Sequence, residues 1–375
     1  MITYYPLNQF LMEYTERNSD NEYRPVAVGR YGIRTRESIF SKELAKDYSK
    51  NKLIYKDTLT VGMGSVQIDI GVLSEDVIYS VSPAYHTYRI EGINSEYLKY
   101  CLECRNQDMF VRYVKKGSRQ GKTIDLKRWL TYEIPVCSEM EQKRVVEKIS
   151  YVDALIEVAQ TQLAKLDDLV KSRFIELFGD AFEHTKLTIG DISEESTVGI
   201  ANSATHAYSD SGVVLLRNQN IRVNSLDDSD LIYITEEFAS NYKNKALKAN
   251  DILVTRTGAN VGMACIVPPK YEGCQTFTTL ILRLKKNVRI SPVFVCHYIN
   301  SPLGKQFIDD KKVGGAQPNF GAKQLATMPI IIPVAELQSQ FEMLVEQTDK
   351  SKLAVQKTLE KLETLKKSLM QQYFG

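Results

Sequence analysis

The chain repeats itself, and this constrains its fold more than any other feature. Residues 163–179 read LAKLDDLVKSRFIELFG and residues 359–375 read LEKLETLKKSLMQQYFG, with eight of 17 positions identical at an offset of 196. Residues 134–142 (IPVCSEMEQ) match residues 332–340 (IPVAELQSQ) at an offset of 198. Upstream, Lys116-Gly117-Ser118-Arg119-Gln120 precedes Val313-Gly314-Gly315-Ala316-Gln317 by 197 residues, and DTLTVGMGS from Asp57 resembles DILVTRTGA from Asp251, 194 residues on. Self-similarity at one long period means one structural unit built twice. The order is globular unit, helix, globular unit, helix, over residues 1–136, 137–180, 181–333 and 334–375.

The helical segments carry the clearest local signal. Val145, Ile149, Val152, Ile156, Ala159, Leu163, Leu166, Val170 and Leu177 recur in steps of three and four, interrupted only at Arg173. The second segment has Leu337, Phe341 and Leu344, then polar Thr348 and Ser351, then Val355, Leu359, Leu362, Leu365 and Leu369. This is the spacing of a coiled-coil stripe. A stretch of about 38 residues gives a helix roughly 57 Å long. Gly179 stands where a left-handed cap would end the first helix, and Gly375 stands at the matching place. Two stripes in one chain bury each other more readily than they recruit a second copy, because the internal partner has the higher effective concentration. The expected fold is therefore mixed α/β (α+β), with two pseudo-repeated globular domains separated by two long antiparallel helices. Val145, Ile149, Val152, Ile156, Leu163 and Leu166 are expected to face Val355, Leu359, Leu362 and Leu369.

In the globular units, Val26 to Val28, Thr58 to Val61 and Val77 to Val81 read as strands, as do Val213 to Leu216, Ile252 to Thr255, Cys265 to Val267 and Thr278 to Leu284. Each unit then runs into a helix (Ser95 to Val114; Pro292 to Lys312), a polar loop and an apolar IPV strand. With 43% hydrophobic and 25% charged residues, the composition excludes fibrous and low-complexity classes. No apolar run approaches the roughly 20 residues of a membrane span, and Met1 to Tyr14 has no secretory pattern, so a cytoplasmic protein without a membrane partner is expected. The six cysteines read as free thiols, including the helical Cys101 and Cys104 pair, and the four histidines are too scattered for a ligand set.

No catalytic centre emerges. Gly117-Ser118-Arg119-Gln120-Gly121-Lys122-Thr123 has three residues between its glycines where a phosphate-binding loop needs four, and it follows a helix rather than a strand. Val61-Gly62-Met63-Gly64-Ser65 and Thr257-Gly258-Ala259-Asn260-Val261-Gly262 read as tight turns between strands. No Asp/Asn-Pro-Pro-Tyr/Phe segment is present, which excludes amino-methyltransferase chemistry from this chain.

Charge points to the globular units. The net charge is only +2, but residues 1–136 hold 20 basic against 17 acidic side chains, residues 181–333 hold 16 against 14, and the helical segments hold 12 against 15. Arg112, Lys115, Lys116, Arg119, Lys122, Lys127 and Arg128 face only Asp125 within their run, a local +6 that is either a solvated basic surface or a loop approaching phosphates. Arg30, Arg34 and Arg36 form a second cluster. In the second unit, Arg217-Asn218-Gln219-Asn220 and Arg256-Thr257-Gly258-Ala259-Asn260 follow strands, and Gln317-Pro318-Asn319 lies in a glycine-rich loop. Arg is suited to guanine and Asn or Gln to adenine by paired hydrogen bonds, though each is also a common turn residue. The DNA-contact candidates are Arg30, Arg34, Lys115, Lys116, Arg119, Lys122, Arg217, Asn218, Asn220, Arg256, Thr257, Asn260, Gln317 and Asn319.

Together these motifs give the chain a resemblance to the specificity subunits of type I restriction-modification systems. The resemblance covers essentially the whole chain. It rests on the twofold organisation, on the passage from Gly314 to Gln340 and its counterpart from Gly117 to Gln142, on LLRNQNI at Leu215 to Ile221, on ILVTRTGANVG at Ile252 to Gly262, and on the helix ends KSRFIELFGD and KKSLMQQYFG. The first unit departs from the pattern, with Val61-Gly62-Met63-Gly64 in place of an Arg-x-Gly turn. The resemblance implies two target-recognition domains reading the halves of a bipartite double-stranded DNA site. It implies a helical spacer that docks two methyltransferase subunits carrying S-adenosylmethionine. A restriction-translocase subunit using ATP and Mg would join them, and this chain would hold no cofactor, metal or catalytic residue of its own. A coiled-coil assembly scaffold without a DNA role is the alternative.

Overall fold

A computed structural model describes residues 2–30, 32–39, 47–116, 121–201, 204–314 and 318–375. The chain forms two compact units, Met1–Gln160 with Gln356–Gly375, and Thr161–Val355. Each contains a four-stranded antiparallel sheet. In the first unit the spatial order is Leu11–Tyr14, His86–Ile90, Thr58–Met63, Ile68–Leu73. In the second it is Ser193–Val198, Leu280–Leu284, Ile252–Val254, Ala264–Ile266. Both orders run first, fourth, second, third along the chain, so the repeat is one of topology as well as of sequence. The central strands are covered on both faces: Leu59, Thr60 and Val61 in one, and Ile252, Leu253 and Val254 in the other, are fully buried.

The second unit adds a small mixed layer in which Val213–Arg217 lies between Ile232–Ile234, antiparallel, and Gln275–Phe277, parallel. It also contains a buried ionic junction. Arg283 donates from Nε and Nη2 to the two oxygens of Asp251, at 2.9 and 2.7 Å, and from Nη1 to Glu195 at 2.8 Å. These contacts tie three of the four sheet strands or their leading turns together.

Two buried amides recur at equivalent places in the two units. On the helix Ser95–Tyr113, Asn106 accepts from the N–H of Ile68 at 3.0 Å and donates to its carbonyl at 2.9 Å. On the helix Pro292–Asn300, Asn300 does the same to Ala264, at 3.0 and 2.8 Å. Ile68 and Ala264 each open the edge strand of their sheet, where backbone groups lack a strand partner. The second amide lies in the first turns of each long helix. Gln142 accepts from the N–H of Asn94 at 2.9 Å and donates to Cys137 O at 2.9 Å. Gln338 accepts from the N–H of Ser291 at 2.7 Å and donates to Pro333 O at 2.7 Å and to Arg289 O at 3.1 Å. Asn94 and Ser291 are the N-caps of the domain helices, so each glutamine joins a long helix to its domain.

These contacts correct the expected register. Gln142 and Gln338 are 196 residues apart, as are Trp129 and Leu325, both fully buried, and Thr131 and Thr327, which cap Arg128 O and Gln324 O at 2.8 Å each. The true offset in this region is 196, so the IPV match at 198 is a slip of two residues. Accordingly Glu133–Val136 is a strand paired with Thr3–Pro6, while residues 331–334 form none; there a single bridge joins Thr188 to Pro329. The helix expected from Pro292 to Lys312 is two helices, Pro292–Asn300 and Pro302–Lys311. Pro302 cannot donate to a continuing helix, and Ser301 caps the new start. Gly179 is not a left-handed cap. It opens a 3₁₀ turn, Gly179–His184.

The long helices are Glu139–Phe178 and Ala335–Phe374. Within the first unit their segments pair antiparallel: Lys148 donates to the Tyr373 hydroxyl at 3.0 Å, and Lys366 meets Asp153 at 2.7 Å. Within the second, Lys352 meets Asp167 at 2.5 Å, while Phe174 and Phe178 pack edge-on against Phe341. Val145, Ile149, Val152 and Leu359 are buried; Ile156, Leu163, Leu166, Val355, Leu362 and Leu369 are half-buried. Two departures from the expected stripe have one cause, the globular domain leaning on the helix. Phe174 and Phe178 replace the Arg173 position because they also pack on Phe294, and Leu365 is exposed where Met370 and Phe374 turn inward against the first domain's core.

His297, in the helix Pro292–Asn300, presents its ring to the edge of Phe341. Burial, with a smaller contribution from Lys352, lowers its pKa from 6.5 to about 4. The folded state resists this proton while the unfolded chain accepts it, so stability falls as pH drops from about 6.5 towards 4 and levels off below that. Denaturant titrations at pH 7 and pH 4.5 should show the natural chain losing about 2 kcal/mol more than His297→Leu. Gln338→Leu should cost about 1–3 kcal/mol at neutral pH, because the Ser291 N–H is left buried and unpaired. A loss below about 0.5 kcal/mol would mean that the glutamine contact is incidental.

Candidate nucleic-acid interface

In the first unit, Arg30 follows the strand Val26–Gly29, and Arg34 lies on the strand Gly32–Thr35; both are exposed. Lys115 and Lys116 lie on Val114–Lys116, paired with Lys122–Ile124. Arg119 lies outside the described residues, and of Lys116 only the backbone is described. Much of the basic run is engaged in the fold. Lys115 pairs with Asp125 at 2.7 Å, and this holds the Asp125 carboxyl below its usual pKa. Lys122 lies over Phe110 and donates to Ser65 O at 2.6 Å, against the turn that joins Thr58–Met63 to Ile68–Leu73. Arg112 is neutralised by Asp108, from outside the run. The local +6 is thus smaller in effect than the sequence count.

In the second unit three separate candidate segments meet. The turn after Ile252–Val254 is held from inside by Thr255, whose hydroxyl donates to Asn260 O and accepts from the N–H of Met263. Gly258 and Gly262 take positive φ, +89° and +85°, and a Cβ on Gly262 would stand 2.8 Å from Ile308. Against this turn runs the segment ending at Phe320: Gly258 N–H donates to Pro318 O, Phe320 N–H to Arg256 O at 2.9 Å, and Arg256 Nε to Asn319 Oδ1 at 3.2 Å. From the other side, Asn218 Nδ2 donates to Thr257 Oγ1 at 3.2 Å. Asn218, Arg256, Thr257 and Asn319 therefore form one continuous polar surface, with Asn260 exposed at its turn. Gln317 lies outside the described residues.

The structure divides the Arg217–Asn220 quartet. Asn220 is buried: its Oδ1 accepts from Arg217 N–H, and its Nδ2 donates to Asp227 O and Asp230 O at 3.0 Å each. All of that supports the turn and leaves nothing for a ligand. Arg217 is drawn onto Asp230, donating to its carbonyl and its carboxylate at 3.0 Å each. The sequence reading missed the acidic turn that does this. Asp227 pairs with Arg222 at 2.8 Å, Asp228 with Lys270 at 2.6 Å, and Asp230 with Arg217. The signal was present as DDSD at residues 227–230, set among widely separated cations.

Among the described residues no cluster of His, Cys, Asp or Glu is arranged to hold a metal ion. Burial pushes the Cys101 and Cys265 thiols up to about 12, far from a reactive thiolate. No described helix is long and apolar enough to cross a membrane. The polar surface of Asn218, Arg256, Thr257 and Asn319 in the second unit has the side-chain types that suit base edges, which makes DNA sequence recognition the class to compare it with.

Comparison with known proteins agrees. Residues 183–365 match the family described as type I restriction modification DNA specificity domain. The chain is 23% identical over 291 residues to the type I restriction enzyme MjaVIII specificity subunit of Methanocaldococcus jannaschii, covering 73% of this chain and 68% of that protein. Its fold is similar to the crystal structure of a type I restriction-modification S subunit from M. genitalium, with TM-score 0.56, 13% identity, and 100% and 96% of the two chains covered. A second structure, from work on complex assembly and conformational transition of the type I system, gives TM-score 0.52 at 14% identity, covering 100% and 97%. Residues 183–365 thus carry a type I restriction modification DNA specificity domain, and the fold along the chain is like that of type I S subunits.

The two roles in the quartet separate by experiment. Asn220→Ala should lower stability by about 1–3 kcal/mol, since two carbonyls and one N–H lose a buried partner. Asn218→Ala, which is half-buried and loses one side-chain hydrogen bond to Thr257, should cost less than Asn220→Ala, about 1 kcal/mol or below, in the same denaturant titration.

Proposed function

We propose that residues 1–136 and 181–333 each read one half of a bipartite double-stranded DNA target, and that the helical segments 137–180 and 334–375 are the spacer that docks two methyltransferase subunits. What supports this reading is one sheet topology built twice with different connections between its second and third strands: the short turn of residues 64–67 in the first copy, where Gly62 and Met63 are still strand, and the longer loop of residues 255–263, with Arg256-Thr257-Gly258, in the second. A shared scaffold with divergent strand-end turns suits two half-sites of different sequence. Arg30, Arg34, Lys116 and Arg119 would contact phosphates and set register in the first domain, and Lys115 and Lys122 only on leaving Asp125 and Ser65 O. Arg256, Thr257, Asn218, Asn260, Gln317 and Asn319 would face base edges in the second. The chemistry belongs to the partners: methyl transfer from S-adenosylmethionine in the methyltransferase subunits, and ATP- and Mg-dependent translocation in a restriction subunit. This chain contributes placement without catalysis, in the cytoplasm.

Co-expression with its methyltransferase, followed by genome-wide mapping of modified adenines, tests the reading. The natural chain should confine methylation to one interrupted motif. Arg256→Ala should reduce methylation at that motif about tenfold or more, the scale of one lost bidentate contact, while the complex still elutes as an assembly. Unchanged motif and unchanged DNA affinity would make Arg256 a structural residue.

A further inference from the structure

Within the second unit, Asp230 does more than neutralise Arg217. Leu215 pairs with Ile232 in antiparallel register, so Arg217 and Asp230 fall opposite each other two positions further on, just past the last paired residues. Arg217 is only 22% exposed in its side chain, and its guanidinium is held on the Asp230 carbonyl and carboxylate. The same carboxylate oxygen, Oδ2, accepts from Gln219 Nε2 at 2.7 Å. Asp230 therefore holds two side chains, one leaning back into the sheet and the other exposed at the tip of the turn Asn218–Asn220.

The consequence lies in the direction of the Gln219 amide. A side-chain amide is ordinarily free to present either end, but a carboxylate accepts only from the nitrogen, and this fixes which atom is which. With one Nε2 hydrogen on Asp230, the other Nε2–H and Oε1 have no partner among the described residues and stand as an ordered donor and acceptor. Adenine offers the matching pair in the major groove, the N7 acceptor and the N6 donor. Guanine offers two acceptors there, so Oε1 would face O6 without a hydrogen between them. Pre-fixing the amide also removes part of the side-chain ordering cost of binding. We propose that Gln219 reads an adenine in the half-site of the second domain, and that Asp230 is the positioning residue that orients its amide, with Arg217 as a strut. This rests on the proposed reading of that domain as one that recognises half of a DNA target.

The test uses the intact complex with its methyltransferase and the genomic map of methylated adenines. Gln219→Ala should let one A·T position of one half-site accept other bases, with every other position and the interruption length retained, and methylation of the original motif should fall about tenfold. Asp230→Asn, nearly the same shape, should relax that same position to a smaller degree, a response that a purely structural role would not confine to one base. A motif unchanged in Gln219→Ala, or relaxation at a G·C position, overturns the assignment. Relaxation in Gln219→Ala with none in Asp230→Asn overturns the positioning role of Asp230. Absence of any sequence preference in the natural complex removes the half-site reading, and this inference with it.

Discussion

Each domain of this chain is fixed to a long helix by a buried glutamine amide. A domain helix begins with N–H groups that its own turns cannot satisfy, and burying them unpaired costs more than most surface contacts return. Gln142 and Gln338 solve this by reaching from the long helices to the N-cap N–H of Asn94 and Ser291, while their own N–H groups go to carbonyls just before the helix. Asn106 and Asn300 act in the same way one layer further in, pairing both backbone groups of the first residue of an edge strand. Sheet, domain helix and long helix in each unit are thus linked by two amides. A hydrogen bond in that position is directional, which apolar packing is not, so it fixes how each domain is held with respect to its long helix.

The twofold organisation, the long helices and the most apolar strands were legible in the sequence because each depends on a periodic or repeated pattern; the strands Leu11–Tyr14, Ile68–Leu73, His86–Ile90 and Ser193–Val198, which mix polar residues or glycine with the apolar ones, were not. What escaped depends on single residues whose role is set by distant partners. The IPV match outweighed the glutamine register, although none of its three residues forms a strand in the second copy. Apolar periodicity carried one helix through Ser301-Pro302, where the missing N–H of proline starts another. The coiled-coil stripe was extended through Leu365, while the structure turns Met370 and Phe374 inward, because heptad counting sees only the partner helix and the first domain is a third body.

The candidate interface shows the same division. Strand-end placement of Arg256, Thr257 and Asn218 was readable from composition and spacing, and the structure joins them with Asn319 into one surface. Asn220 looked equivalent to Asn218 in sequence, two residues away in one quartet. Their difference is burial: a 3₁₀ turn points one amide at Asp227 O and Asp230 O and the other at Thr257. No local pattern distinguishes them, because the acceptors come from a segment up to ten residues downstream.

The charge balance takes on a different meaning in this light. The net +2 first counts against a nucleic-acid partner, and the local +6 run then counts for one. Neither number describes what the surface offers. Lys115, Lys122 and Arg112 are engaged by Asp125, Ser65 O and Asp108, and the acidic turn takes Arg217, Arg222 and Lys270. Cations held in this way are poor phosphate ligands, since each would first have to leave a protein partner. Long-range attraction to a polyanion scales with the number of free cations and fades with salt. Discrimination between bases scales instead with how firmly donors and acceptors are oriented. In the second domain the acidic turn gives up some of the first, and on the proposed role of Gln219 it serves the second, as would suit a subunit that chooses a sequence inside a larger assembly rather than one that must capture DNA unaided.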